Sequence, residues 1–229
     1  MHCFDWTYAQ IKEELPNIAA AGFSAVQTSP AHPREPVGVA WYMLYQPYDY
    51  KVGENGLGTK EGLTELCTEA HQYGVKIIVD VVANHTNGSL SYVASFWQDQ
   101  SLYHDYQGGI DYSNRWQVTH GRIGMWDLKT EDSRVQEKIK EYVAELKSCG
   151  VDGIRWDAAK HIGLPSEGDT FWQNVPDQTM HNYGEILDGT GGDDTVSEKV
   201  EVVSQTTGVQ LHPVAGESSA KAMIYNLQG

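Results

Sequence analysis

Three times along this chain a charged amphipathic stretch ends at a glycine and gives way to a short apolar run, and no other feature limits the fold as much. Residues 8–21 form the first stretch, with Thr7 placed to cap them and Pro16 set either to kink them or to fall near their first turn. They close at Gly22 and lead into Phe23–Thr28. Residues 60–73 close at Gly74 and lead into Lys76–Val82, whose nearly unbroken β-branched content marks a strand buried on both faces. Residues 134–148 close at Gly150 and lead into 151–157. Right-handed units of this kind build either a doubly wound parallel sheet or a closed (β/α)8 barrel. Residues 31–58, rich in Pro, Gly and aromatics, read as a long ordered loop, and 86–133 as an excursion at the carboxyl end of a strand. Beyond Asp188 the repeat stops: 189–194 is flexible and acidic, and 200–214 alternates weakly as one or two strands.

Charge narrows the partners. Lys+Arg of 16 against Asp+Glu of 31 leaves a net −15, which repels nucleic acid and anionic membrane surfaces. No apolar run approaches the roughly 18–20 residues that span a bilayer, and no basic and then apolar export signal opens the chain. Cys3, Cys67 and Cys149 are far apart and odd in number, so they read as buried thiols rather than a disulfide framework or a zinc site. The 7 Trp and 13 Tyr against 4 Phe suit either a wet cleft or packing at a polar boundary.

The apolar runs finish in polar groups: Asn84-His85, then Arg155 and Asp157, then Glu185. In a parallel assembly those ends converge on the face that carries ligands. Two carboxylates there, beside an arginine and a histidine, supply an ionised nucleophile and a protonated acid. Arg155 lies next to Asp157, which makes Asp157 the anion and Glu185 the proton donor; the alternative is a structural Asp–Arg pair at a strand terminus.

Asp80-Val81-Val82-Ala83-Asn84-His85, Gly153-Ile154-Arg155-Trp156-Asp157-Ala158-Ala159-Lys160-His161 and Gly184-Glu185-Ile186-Leu187 resemble, in order and spacing, the first three motifs of the α-amylase family, glycoside hydrolase family 13. Tyr45-Gln46-Pro47, preceded by Trp41-Tyr42, is similar to the family's aromatic wall after the second barrel strand. The resemblance implies an α/β fold, an incomplete (β/α)8 TIM-type barrel of about five units over 1–85 and 134–188, with a small inserted lobe at 86–133 after the third strand and a divergent tail at 189–229. It implies retaining endo-hydrolysis of α-1,4-glucosidic bonds in starch, with Asp157 as nucleophile, Glu185 as general acid/base, and Arg155 keeping Asp157 ionised. Trp41, Tyr42 and Tyr45 would stack on glucose rings, while Gln46, His85, Lys160 and His161 would bond sugar hydroxyls. Asn84, Asp127 and the carbonyls of Thr119 and His161 resemble the family's calcium site.

One family feature has no counterpart. The third carboxylate, an Asp after a His near the seventh strand, is missing beyond Glu185, and the one His-Asp pair, His104-Asp105, falls in the inserted lobe. Two function classes follow: a working α-amylase in which the acidic tail (Asp193, Asp194, Glu198, Glu217) or a second copy completes the cleft, or a non-catalytic remnant that binds α-glucan. Open sheet edges would favour a homo-oligomer. The resemblance favours an extracellular location.

Overall fold

A computed structural model describes residues 1–34, 40–187 and the strand 222–226. In chain order the elements are β1 (His2–Cys3), α1 (Tyr8–Ala20), β2 (Ala25–Thr28), α2 (Lys60–Gln72), β3 (Lys76–Val82), α3 (Arg115–His120), α4 (Ser133–Ser148), β4 (Gly153–Asp157), α5 (Phe171–Asn174), β5 (His181–Leu187) and β6 (Ala222–Asn226). The strands form one sheet in the order β1-β2-β3-β4-β5-β6. The first five are parallel neighbours, as in an open arc of a barrel, and the expected repeat is the observed one.

Each helix-to-strand joint has a local cause. Thr7 Oγ accepts the Gln10 N–H at 3.2 Å while Gln10 Oε1 accepts the Thr7 N–H at 2.8 Å, a reciprocal cap that starts α1. Pro16 lies well inside α1 rather than near its first turn. Asp132, with its side chain on the Arg134 N–H at 2.8 Å, starts α4. The glycines ending the three helices have φ of +84°, +69° and +92° at Gly22, Gly74 and Gly150, the left-handed turn that stops a helix. At Gly150 a side chain would also press on Cys67, whose Cβ lies 3.0 Å from where a Cβ would stand. The strands begin later than the apolar runs: Ala25 rather than Phe23, and Gly153 rather than Val151.

The core is amphipathic helix against sheet. Ile11, Leu15, Leu63, Leu66, Val135, Ile139 and Leu146 from the helices meet Val26, Ile77, Val79, Val81, Ile154 and Trp156 from the strands, all fully or almost fully buried. The three cysteines are free and buried, as expected. No helix among the described residues is long and apolar enough to cross a membrane.

One expectation changes, and one lies beyond the described residues. The outer edge of β5 is not open: β6 pairs with it antiparallel, Glu185 opposite Ile224 and Gly184 opposite Tyr225, so the edge argument for an oligomer no longer applies there. The weak alternation at 200–214 and the acidic residues Asp193, Asp194, Glu198 and Glu217 lie outside the described residues.

Candidate active site

Asp80, Arg155, Asp157 and Glu185 gather at and near the carboxyl ends of β3, β4 and β5, and the ladder puts them there. Asp80 pairs in register with Arg155, and Trp156 with Gly184. Asp157 and Glu185 therefore follow on adjacent strands, whose separation is about 4.8 Å. One guanidinium holds all three carboxylates: Arg155 Nη1 donates to Asp80 Oδ1 and Oδ2 at 2.7 and 2.8 Å and to Asp157 Oδ1 at 2.8 Å, and Nη2 reaches Glu185 Oε1 at 2.6 Å. Ala158, at φ +49° a left-handed residue that is not glycine, turns its N–H onto Glu185 Oε2 at 3.1 Å.

Arg155 bonds Asp157 and favours its ionised form, as the sequence leads one to expect, but two effects oppose it. Burial, and then the neighbouring Asp80 charge, push the Asp157 carboxyl well above the ordinary carboxylate range, because the guanidinium that opposes them is shared three ways. Asp80, wholly buried, is pushed up to about 6 by burial against the pull of Arg155. One cation among three carboxylates thus lets the cluster keep a proton where exposed acids have lost theirs.

The cluster forms one wall of a cleft of about 500 Å³, within the range of small-molecule sites. Trp41, Tyr45, His85, Lys160 and His161 line it with Arg155, Asp157 and Glu185. Tyr45 also donates its hydroxyl to Asp80 Oδ2 at 3.0 Å, fixing its ring beside the carboxylates. His85 is buried and its Nε2 lies 3.0 Å from the Tyr45 carbonyl, with burial lowering its pKa to about 4. Lys160 Nζ donates to the Leu187 carbonyl at 3.3 Å and lies 5.3 Å from the centre of the Tyr112 ring. Tyr42 and Gln46 are not among the lining residues: Tyr42 is exposed, edge-on to Trp41, and Gln46 Oε1 accepts from Asn87 at 3.4 Å.

The expected calcium ligands fall into two neighbouring pairs. Asn84 Nδ2 lies 3.1 Å from Asp127 Oδ1, and His161 Nδ1 lies 2.8 Å from the carbonyl of Val118, next to Thr119. Amide, carboxylate and carbonyl oxygens are the donor set of a hard cation, so these residue types suit calcium. Among the described residues no group of three His, Cys, Asp or Glu suits a metal ion by itself. His104, read from sequence only as half of a misplaced pair, holds the other Asp127 oxygen at 2.7 Å and Glu131 at 3.1 Å. Those two carboxylates raise its pKa to about 9 against the opposing effect of burial.

The family profile "Alpha amylase, catalytic domain" matches residues 7–211. The chain belongs to the α-amylase family. It is similar to an α-amylase of Clostridium acetobutylicum, 41% identical over 209 residues, a match covering 82% of this chain and 27% of that protein. It is similar in structure to an α-amylase from Malbranchea cinnamomea, with a TM-score of 0.67, 29% identity, and coverage of 80% of this chain and 41% of that one. An α-amylase from Geobacillus thermoleovorans, solved in complex with acarbose, matches with a TM-score of 0.64 at 26% identity, covering 79% and 40%. The chain spans about a quarter of the length of the curated Clostridium relative.

Within this α-amylase frame, sequence reasoning passed over four residues that the structure brings to the site. Asp80 sits inside the β3 apolar run, where a buried charge demands a partner, and that demand was the available signal. His2, Phe4 and Tyr112 line the cleft from β1, the turn after it and the inserted segment. Nothing in the local pattern around them marks a cleft.

Proposed function

We propose that this chain carries the catalytic centre of a retaining endo-hydrolase of α-1,4-glucosidic bonds. The observation that carries the reading is the sharing of Arg155 by Asp157 and Glu185 from adjacent strands. Side-by-side carboxylates suit the roughly 5–5.5 Å spacing of retaining pairs, whereas an inverting pair stands about 6.5–9.5 Å apart to admit water. Asp157 in its ionised form attacks the anomeric carbon while Glu185 gives a proton to the departing glycosidic oxygen. Glu185 then takes a proton from the water that releases the sugar from Asp157. Tyr45 and Trp41 offer rings to glucosyl units, and Lys160 and His161 offer polar side chains in the same cleft.

Calcium, held by Asn84, Asp127 and the carbonyls of Thr119 and His161, would supply a structural clamp between the inserted segment and the strand ends. A neutral α-glucan also suits a chain of net charge −15.

The alternative is a glucan-binding remnant that does not hydrolyse. Release of reducing ends from soluble starch by wild type and by Asp157→Asn separates the two. Release by wild type alone is expected; equal rates from both proteins would reject hydrolysis by this centre.

A further inference from the structure

The parallel arc is curled enough for two strands that are not neighbours to touch through its inside. Tyr183, on β5, donates its hydroxyl to Gln27 Oε1, on β2, at 2.7 Å, although β3 and β4 lie between them. In a flat sheet three steps of about 4.8 Å would put those strands about 14 Å apart, too far for side chains that stand perpendicular to it. Tyr183 pairs in register with Arg155, and Arg155 with Asp80, so the bond starts in the row that carries the buried ion pair. Neither Gln27 nor Tyr183 is among the residues that line the cleft. Burial, and then the Asp80 charge, push the Tyr183 hydroxyl up to about 12, so it stays a donor wherever the carboxylates work.

We propose that the Tyr183–Gln27 bond is a positioning strap, which sets the curl of the arc and so holds Glu185 at its working distance from Asp157. The proposal rests on the hydrolase reading given above and adds to it two residues that stand outside the cleft. Register decides which residues face one another; curl decides how far apart their side chains stand on the concave side. The backbone leaves that second quantity open at Glu185, which lies one residue beyond the last ladder pair between β4 and β5, Trp156 with Gly184. On its other side Glu185 pairs with β6, but β6 is the edge of the sheet and adjoins β5 alone. Tyr183, two residues earlier and on the same face as Glu185, ties β5 to a strand three places away. Arg155 and the Ala158 N–H hold the head of Glu185, and the strap holds the strand under it. A retaining pair works within a narrow range of roughly 5–5.5 Å, so a small change of curl reaches the rate.

Steady-state starch hydrolysis by the full chain carrying Tyr183→Phe, Gln27→Leu or both tests the strap, with hydrogen exchange across 181–187 as a readout that needs no activity. Each single variant is expected to lower kcat roughly ten-fold with KM within about two-fold of wild type, because the pair positions and does not bind. The double variant should lose no more than either single one, since the two side chains make one bond. Exchange at 181–187 should quicken in both single variants. Should Tyr183→Phe fail to fold, Gln27→Leu carries the same expectations. An unchanged kcat, a loss carried by KM alone, or a double loss equal to the product of the single ones overturns the strap and, where wild type hydrolyses starch, leaves the hydrolase reading intact. Wild type that releases no reducing ends rejects the hydrolase reading instead. Unchanged exchange then overturns the strap as well, and faster exchange keeps it as the tie that holds β5 in place.

Discussion

At β3, β4 and β5 the carboxylate cluster is placed by ladder register, whereas residues 84–132 hold their shape through isolated backbone bonds and side-chain contacts together. In the first region, Asp80 opposite Arg155 and Trp156 opposite Gly184 leave the cluster almost no latitude. In the second, two isolated bridges (His85 with Asp127, Tyr103 with Leu128), the His104–Asp127 pair and the Arg115 fork do the fastening. The difference teaches where change is tolerated: the carboxylate cluster sits on the sheet, and part of the cleft lining, His85 and Tyr112 among it, sits on pieces held by scattered bonds.

The largest way to test that division is to remove the proposed proton donor. Glu185→Gln is expected to lower starch hydrolysis by at least about 10³-fold while leaving acarbose binding in place, measured by reducing-end release and calorimetry. Arg155→Leu should be the most damaging to the fold, by about 3–5 kcal/mol in denaturant unfolding, since it strands Asp80 and Asp157 as buried carboxylates. A loss below about 1 kcal/mol would mean the cluster is less dependent on its cation than the geometry says.

The inserted segment should respond differently. Adding a chelator is expected to lower the melting temperature by the equivalent of about 2–3 kcal/mol for an ion near a hundred times its Kd, and no shift would count against Asn84 and Asp127 as ligands. Arg115→Ala should cost about 1–2 kcal/mol, through Glu167 and the two carbonyls, with the rate on short maltooligosaccharides retained. A collapse of that rate would show that the two regions are not separable.

The smallest effect concerns pH. Burial and then the Asp80 charge raise the Asp157 pKa, and the proposed attack needs Asp157 ionised, so the acid limb of the rate profile is expected above that of an ordinary carboxylate. Asp80→Asn removes that charge and should move the acid limb to lower pH by up to about one unit. A limb that moves upward would assign it to another group.

Much of this division was legible in the residues. The run Lys76–Val82 is a strand over its full predicted length, because β-branched side chains packed on both faces leave helix no advantage. The strand β5 was harder: His181–Leu187 mixes polar and apolar positions and is only partly buried, so no continuous apolar run announces it, and Glu185 lies within the strand rather than after it. Tyr42 and Gln46 sit next to Trp41 and Tyr45 in sequence, but across the 3₁₀ turn at Trp41–Tyr45 only Trp41 and Tyr45 are among the residues lining the cleft. Phe4, Asp80 and Tyr112 escaped because their roles arise from long-range neighbours: Trp41 at 5.4 Å for Phe4, Arg155 for Asp80, Lys160 for Tyr112.

The left-handed backbone at Ala158 has a further consequence for anyone who engineers this chain toward heat tolerance. A side chain in that conformation costs roughly 1–2 kcal/mol relative to an unstrained residue, and glycine would relieve it. The same relief would slacken the amide aimed at Glu185, so screens for ruggedness and screens for turnover should pull this one position in opposite directions.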